Sequence, residues 1–370
     1  MKLTIERAVL LRALAHVERI VEKRNTIPIL SNVQLEAEDQ RLLLTATDLD
    51  IAIVETLSAT VANGGAVTTP AHTLYDIVRK LPEGAEVALS HDSADARLAV
   101  NSGRSHFQLS CLPREDFPVM SAGDLPHRFA LPAVALKRLI DKTRFAISTE
   151  ETRYYLNGIY LHVPEGGDVL RAVATDGHRL AQVDHAAPEG AAGMPGVIVP
   201  RKTVGEVRRL IDEFEGDIGI SLSDTKIRFE LDGAVLTSKL IDGTFPDYTR
   251  VIPVGNDRVM EVDAEHLAVV VDRVSTISTE KSRAVKLALD SDCLTLTASS
   301  SETGMATEEL SVSYQAETME VGFNSRYLLD ILGHIEGTTA QILLADPASP
   351  TLVRDGGDDG ALFVLMPMRV

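Results

Sequence analysis

One apolar pattern occurs three times in this 370-residue chain and constrains its fold more than any other feature. Pro70-Ala71 is followed by Leu74, Ile77 and Leu81 and then by Glu83-Gly84. The same frame returns as Pro200-Arg201, Val204, Val207, Ile211 and Glu215-Gly216, and again as Asn324, Leu328, Ile331, Ile335 and Glu336-Gly337. The first positions lie 130 and 124 residues apart. Apolar side chains at i, i+3 and i+7 share one face of a helix, and a following glycine suits a helix stop. A second helical frame precedes each of these: Leu10, Leu14 and Val17; Leu136, Ile140 and Thr143; Leu267, Val271 and Val274. Between the helices, 42–47, 170–174 and 294–298 alternate in the manner of half-buried antiparallel strands. Short loop phrases also repeat at a spacing of 128: Thr47-Asp48 with Thr175-Asp176, and Phe117-Pro118 with Phe245-Pro246. The spacing predicts three similar α+β domains, 1–125, 126–253 and 254–370, each a sheet covered on one face by two amphipathic helices.

The bulk properties agree with several folded cores. Apolar residues make up 45% of the chain and charged residues 24%, without a low-complexity stretch. The N-terminal segment carries Glu6, Arg7 and Arg12 where a signal peptide needs an unbroken apolar run. No window approaches the roughly 20 apolar residues of a spanning helix. Cys111 and Cys293 stand far apart and outside any Cys/His ligand spacing. A cytoplasmic protein with no membrane partner and no structural metal is the expectation.

The net charge of −18 argues at first against a nucleic-acid partner. Its placement argues otherwise. The helical stretches 7–24, 72–80, 133–144, 201–211, 264–274 and 325–334 carry +3, +1, +3, +3, −1 and 0, which leaves −27 for the remainder. Helices with a basic face and strands and loops that are strongly acidic suit a surface that attracts DNA on one side and repels it on the other. The same charges could equally be the solvated side of amphipathic helices.

Asp176-Gly177-His178-Arg179 invites a hydrolase or metal reading, because Asp and His together can move protons. The sequence offers no GxSxG, no HExxH, no Walker loop and no second His at ligand spacing, so no catalytic residue, metal or cofactor is expected. A turn in which Asp176 caps backbone amides is the alternative.

The phrases TIPILSN (26–32), ATDLD (46–50), SGRSHFQLSCLP (102–113), RYYLNG (153–158), ATDGHRLA (174–181), VIVPRK (197–202), TSKLIDGTFPDY (237–248), GFN (322–324) and MPMRV (366–370) carry a closer likeness. In order and spacing they resemble the bacterial DNA sliding clamps, the beta subunits of DNA polymerase III, over essentially the full length. The resemblance implies the DNA clamp fold and a head-to-tail homodimeric ring around double-stranded DNA, with helices facing the hole. It implies no enzymatic activity. As partners it implies a second copy of the chain, the DNA polymerase III alpha subunit, an ATP-driven clamp loader, and other polymerases and repair proteins that bind through short apolar peptide motifs.

Residue by residue, the resemblance assigns DNA contact to Arg24, Arg79, Lys80, Tyr154, Tyr155, Arg201 and Lys202. It assigns a client-peptide groove to Arg153, Leu156, Thr175, Gly177, His178, Arg179, Leu180, Pro246, Arg250, Val251, Asn324, Tyr327, Ala348, Val364, Leu365, Met366, Pro367, Met368 and Arg369. The dimer seam falls on Arg104, Phe107, Leu109, Ile277, Glu302 and Glu308. The chain also departs from the family pattern. SSSETGMATEEL (299–310) replaces a longer acidic run at the seam, His72 and His106 stand where arginine occurs in relatives, and Glu150 precedes the tyrosine pair. Two other classes share parts of this pattern: a nucleic-acid-modifying enzyme using Asp176 and His178, and a monomeric three-repeat peptide adaptor.

Overall fold

The computed structural model describes residues 1–23, 26–92, 96–121, 123–278 and 283–369. The first repeat runs β1 (Lys2–Glu6), α1 (Arg7–Ile20), β2 (Asn32–Glu38), β3 (Arg41–Thr47), β4 (Ile51–Ser58), β5 (Thr60–Asn63), β6 (Gly65–Pro70), α2 (Ala71–Lys80), β7 (Glu86–His91), β8 (Arg97–Ser102), β9 (Ser105–Ser110). The second runs β10 (His127–Pro132), α3 (Ala133–Asp141), β11 (Gly158–His162), β12 (Val169–Thr175), β13 (Arg179–Ala186), β14 (Val197–Pro200), α4 (Arg201–Asp212), β15 (Asp217–Leu222), β16 (Lys226–Leu231), β17 (Ala234–Lys239). The third runs β18 (Arg258–Asp263), α5 (Ala264–Ser275), β19 (Ala284–Asp290), β20 (Cys293–Ser300), β21 (Gly304–Ser311), β22 (Ser313–Tyr314), β23 (Met319–Asn324), α6 (Ser325–Leu332), β24 (Thr339–Leu344), β25 (Thr351–Asp355), β26 (Asp358–Leu365).

Each helix forms where the apolar stripe predicts it. Leu10, Leu14 and Val17 on α1 and Leu267 and Val271 on α5 are fully buried, and α2, α4 and α6 start at Ala71, Arg201 and Ser325, the 130- and 124-residue offsets of the sequence pattern. Their ends differ from the expectation. The helices stop at Lys80, Asp212 and Leu332, several residues before Gly84, Gly216 and Gly337. Gly84 and Gly216 instead serve the turn into the next strand, with φ of 72° and 140°. Ile335 lies beyond α6, whose last turn is closed by Gly333, and Thr143 lies beyond α3, where its hydroxyl donates to the Leu139 carbonyl at 2.5 Å.

The strands of each repeat divide between two sheets. The first strand joins the last three (β1-β7-β8-β9, β10-β15-β16-β17, β18-β24-β25-β26), with the short β5 and β22 added beside β1 and β18, and the other strands form a second set (β6-β2-β3-β4, β14-β11-β12-β13, β23-β19-β20-β21). A strand of one set therefore immediately precedes the helix that leads into the other, so neither set closes without its neighbour. Successive repeats are then stitched by pairing. β17 lies antiparallel to β4 with Ser238 opposite Ile51, and β26 lies antiparallel to β13 with Leu365 opposite Arg179.

The chain groups into two compact units that cut through the second repeat. One comprises residues 1–134, 188–194 and 202–240; the other comprises 135–187, 195–201 and 241–370. In the first, α1 packs on α2, β3 and β4; in the second, α5 packs on α6 and on the strands β18 to β21.

In the second unit the junction is also closed by charge. The Asp358 carboxylate at the β25–β26 turn accepts from Arg138 Nη2 at 2.7 Å and Lys142 Nζ at 2.9 Å, and the Lys142 side chain is 2% exposed. Burial disfavours the charge on Asp358, but the Arg138 and Lys142 bonds outweigh it and hold the carboxyl well below its usual range. Asp358→Asn leaves Lys142 in the core with the 71%-exposed Glu336 as its anionic partner. Urea unfolding at pH 7 should register a loss of about 2–3 kcal/mol. A carboxyl whose folded-state pKa is depressed stabilises above its unfolded value and loses that contribution in acid. The gap between variant and wild type should therefore shrink as the pH falls below about 4.

Candidate functional site

The ATDGHRLA phrase forms the β12–β13 turn. Thr175 Oγ1 accepts from the Gly177 amide at 3.1 Å and donates to the Arg179 carbonyl at 2.7 Å, while Asp176 Oδ1 accepts from the His178 and Arg179 amides at 2.9 and 3.0 Å. Gly177 sits at φ 87°, where a Cβ would also come within 2.8 Å of an Arg153 guanidinium nitrogen. The β3–β4 turn is built identically: Thr47 Oγ1 accepts from Leu49 at 3.0 Å, and Asp48 Oδ1 accepts from Asp50 and Ile51 at 2.9 and 2.8 Å. The shared phrase is thus first a turn device. Asp176 Oδ2 is occupied as well, by Arg179 Nε at 3.2 Å, and the His178 ring stacks on Tyr327 at 5.8 Å. This leaves the Asp176 carboxylate bonded to backbone amides and to Arg179, with the His178 ring turned to Tyr327. Among the described residues no group of three or more His, Cys, Asp or Glu side chains could hold a metal.

Arg179 locks this turn to its surroundings. Its side chain is 9% exposed; it donates to Asp330 at 2.5 Å and to the Phe145 carbonyl at 2.6 Å, and it lies over the rings of Tyr327 and Phe145 at 4.5 and 5.1 Å. A guanidinium satisfied by two carboxylates and two aromatic faces is a structural clamp. Asn324 is likewise spent, capping α6 by accepting from the Arg326 and Tyr327 amides.

Beneath the turn, Leu156, Val173, Leu180, Ile198, Phe245, Tyr248, Leu352 and Val364 form one buried cluster, with Tyr155, Tyr160, Ile241, Ile252, Leu343 and Leu362 packed against it. Of the groove residues expected from sequence, Leu156, Leu180 and Val364 therefore supply a floor. Pro246, Arg250, Val251, Arg153, Gly177 and His178 are exposed around it, with Arg250 bonded to Asp247 at 2.8 Å. Leu365 departs from the expectation. Strand alternation turns it to the face opposite Val364, and it lies outside this cluster. Leu362, on the Val364 side, and Tyr248 belong with this cluster without having been expected there; period two along β26 was the available signal for Leu362. Past β26 the chain is tied at two points: the Met366 amide donates to the His178 carbonyl and the Met368 amide to the Gly322 carbonyl, both at 2.9 Å. Pro367, Met368 and Arg369 then border a hollow of about 590 Å³ with Glu320, Val321, Gly322, Pro347 and Ala348. The 38%-exposed Met366 stands beside it in the chain.

The residues expected to meet DNA are more scattered. Arg24 lies outside the described residues. Arg79 is exposed but pairs with Asp76 at 2.9 Å, and Lys80 and Arg201 are exposed. Lys202 is bound to Asp48 and to the Ile20 carbonyl. Tyr154 is 53% exposed and meets Tyr155 edge-on at 5.8 Å, whereas Tyr155 leans on the groove cluster. Further helix cations are engaged within the chain, Arg12 with Glu213 and Arg209 with Glu206.

The seam candidates occupy two strand edges. β9 ends one sheet and β21 ends another. Phe107 on β9 is 37% exposed and Leu109 8%, with Arg104 exposed in the turn before them. Beside β21, Glu302 is exposed, Glu308 pairs with Arg273 at 2.5 Å, and the half-buried Ile277 accepts from Thr303 Oγ1 at 2.7 Å.

Family models for the N-terminal, central and C-terminal domains of the DNA polymerase III beta subunit match residues 1–121, 130–247 and 249–369. The beta sliding clamp of Caulobacter vibrioides is 58% identical over 372 residues, and those of Pseudomonas aeruginosa and Escherichia coli K12 are 41% and 39% identical, each match covering 100% of both chains. Among solved structures, the Bartonella birtlesii sliding clamp bound to griselimycin superposes with a TM-score of 0.97 at 52% identity, covering 100% of both chains. The Caulobacter crescentus sliding clamp superposes with a TM-score of 0.95 at 57% identity, again over 100% of both. Likeness of this extent to all three domains at once makes the chain a member of the bacterial beta sliding clamps, the non-catalytic subunits that serve DNA polymerase III in replication.

Proposed function

We propose that two copies of this chain close head to tail around duplex DNA and tether the replicative polymerase and other clients to it. One observation carries the assembly. At both junctions inside the chain, the last strand of one repeat pairs with the third strand of the preceding repeat's middle set: β17 with β4, and β26 with β13. By the same rule β9 is owed to a strand in the position of β21, and β21 to one in the position of β9. A second copy supplies both, and closing the two edges covers backbone groups that would otherwise template aggregation. Phe107 and Leu109 then meet Ile277, and Arg104 meets the acidic Glu302 and Glu308. The three domains of each copy are taken as 1–125, 126–253 and 254–370.

Within the ring, attraction to phosphate is sequence-blind, which lets the protein slide while topology prevents release. We assign this attraction to Arg24, Arg79, Lys80, Arg201 and Lys202, with Tyr154 and Tyr155 offering faces to exposed bases. Lys202 must leave Asp48 to reach a phosphate, so its share is smaller than that of Arg201. The groove of the second unit takes short apolar segments of the polymerase III alpha subunit, other polymerases and repair proteins. An exposed rim over a greasy floor, with the pliable Met366 and Met368, supports that reading. Threading a closed ring onto circular DNA requires an ATP-driven loader, and the setting is the cytoplasm.

Protein loaded on nicked circular plasmid should remain bound and then be lost on linearisation, as followed by gel filtration. Equal retention on both forms rules out encirclement. Phe107→Asp places a charge in the seam and should shift the protein from dimer to monomer in light scattering, with its far-UV circular dichroism unchanged. Deleting residues 366–370 should weaken griselimycin binding at least tenfold in calorimetry while leaving the dimer intact, and unaltered affinity would locate the groove elsewhere.

A further inference from the structure

The register of β11, β12 and β13 puts three polar residues in one row, with His162 opposite Arg171 and Arg171 opposite Asp184. Asp184 takes the Arg171 fork in bidentate fashion, with Nε and Nη2 each donating at 2.7 Å. The remaining arm, Nη1, donates to the Tyr248 hydroxyl at 3.3 Å. With the His162 proton on Nδ1, that hydroxyl, accepting from Arg171, donates its own proton to His162 Nε2, 2.9 Å away. The relay runs one way, from cation to phenol to imidazole, and needs His162 neutral with its proton on Nδ1. Burial, then the Arg171 charge, lower the His162 pKa to about 4 against the opposing pull of Asp184, which keeps the ring neutral at neutral pH. The Tyr160 ring completes the enclosure, stacking on His162 at 4.5 Å and on Phe245 at 4.8 Å.

Tyr248 is 6% exposed and belongs to the cluster under the groove. It also opens the 3-10 turn Tyr248–Val251, whose last two residues, Arg250 and Val251, stand exposed at the rim. Apolar packing alone lets the phenol slide and rotate in its slot, whereas two hydrogen bonds to groups on two adjacent strands, one of them held by Asp184 on a third, fix its depth and its direction.

We propose that His162, Arg171 and Asp184 are positioning residues for client-peptide binding: by fixing the Tyr248 hydroxyl they set the place of the turn that carries Arg250 and Val251. The proposal rests on the groove assigned above. The row lies on the sheet beneath the floor, so its effect reaches a bound peptide through Tyr248.

Griselimycin binding by calorimetry at neutral pH tests it with the full-length dimer. Tyr248→Phe keeps the ring and removes the hydroxyl, and His162→Leu removes the acceptor; each should weaken binding by about three- to tenfold. In His162→Gln the amide oxygen can still accept from Tyr248, so affinity should return to within about twofold of wild type. The imidazole NMR resonances of His162 should stay unchanged from about pH 8 to 6, as expected of a group held neutral. Wild-type affinity in both Tyr248→Phe and His162→Leu overturns the proposal. So does a His162→Gln variant as weak as His162→Leu, or a His162 titration centred near the free-histidine value. If the wild-type protein fails to bind griselimycin, the groove assignment falls first and the positioning role falls with it.

Discussion

Antiparallel pairing across repeat junctions is the constraint on which the rest of the structure depends. Each repeat distributes its strands over two sets, and each set that reaches a junction is completed by a strand from the next repeat, β17 beside β4 and β26 beside β13. Backbone hydrogen bonds are demanding partners, because an unpaired amide or carbonyl removed from water costs more than a pair contributes. A junction made this way has a fixed register, so residues placed on either side of it meet predictably. Asp358 reaches Arg138 and Lys142 across one junction, and Arg179 is aligned with Leu365 across the same one.

The two internal junctions share a scaffold but differ in chemistry. At the positions of Val364, Leu365 and Met366 the first junction has Thr237, Ser238 and Lys239, as the pairings of Ser238 with Ile51 and Leu365 with Arg179 establish. The residue equivalent to Tyr248 is Met120, and the residual apolar cluster there is Ile29, Leu30 and Phe117. One junction therefore offers a deep apolar floor and the other a small closed one. The same contrast holds for charge. Where Lys142 follows the end of α3, α1 has His16, bonded to Glu55 at 2.7 Å; burial opposes its charge, but Glu55 and Glu213 raise its pKa. A histidine stands at the first junction and a lysine at the second.

Electrostatics across the helices is more local than a charge count suggests. The segregation of positive charge onto helical stretches is real, yet Arg12, Arg138, Lys142, Lys202 and Arg209 each hold a carboxylate of this chain. Such pairs screen one another, whereas Lys80 and Arg201, two of the cations to which we assign attraction to phosphate, stand exposed. A weak, distributed field suits a protein that must hold DNA without gripping it.

The helices and their buried stripes were legible in the chain, because 3.6-residue periodicity is a local property; Leu10, Leu14, Val17, Leu267 and Val271 needed no tertiary information. So were the repeats, the two Thr-Asp turns and, through extended motifs, the family. Which partner a side chain takes was not legible. That Leu365 turns inward while Leu362 faces the groove cluster, that Arg179 is a clamp, and that Lys202 binds Asp48 depend on strand register and on contacts between residues over a hundred positions apart. The division of each repeat between two sheets was also hidden, since alternation marks a strand without marking its neighbour. By itself the sequence determined the elements and their threefold order, because these follow from short-range spacing. Only the tertiary structure decided the pairings, and with them the groove, the satisfied cations and the open edges, because hydrogen-bond register between distant strands leaves no trace in local composition.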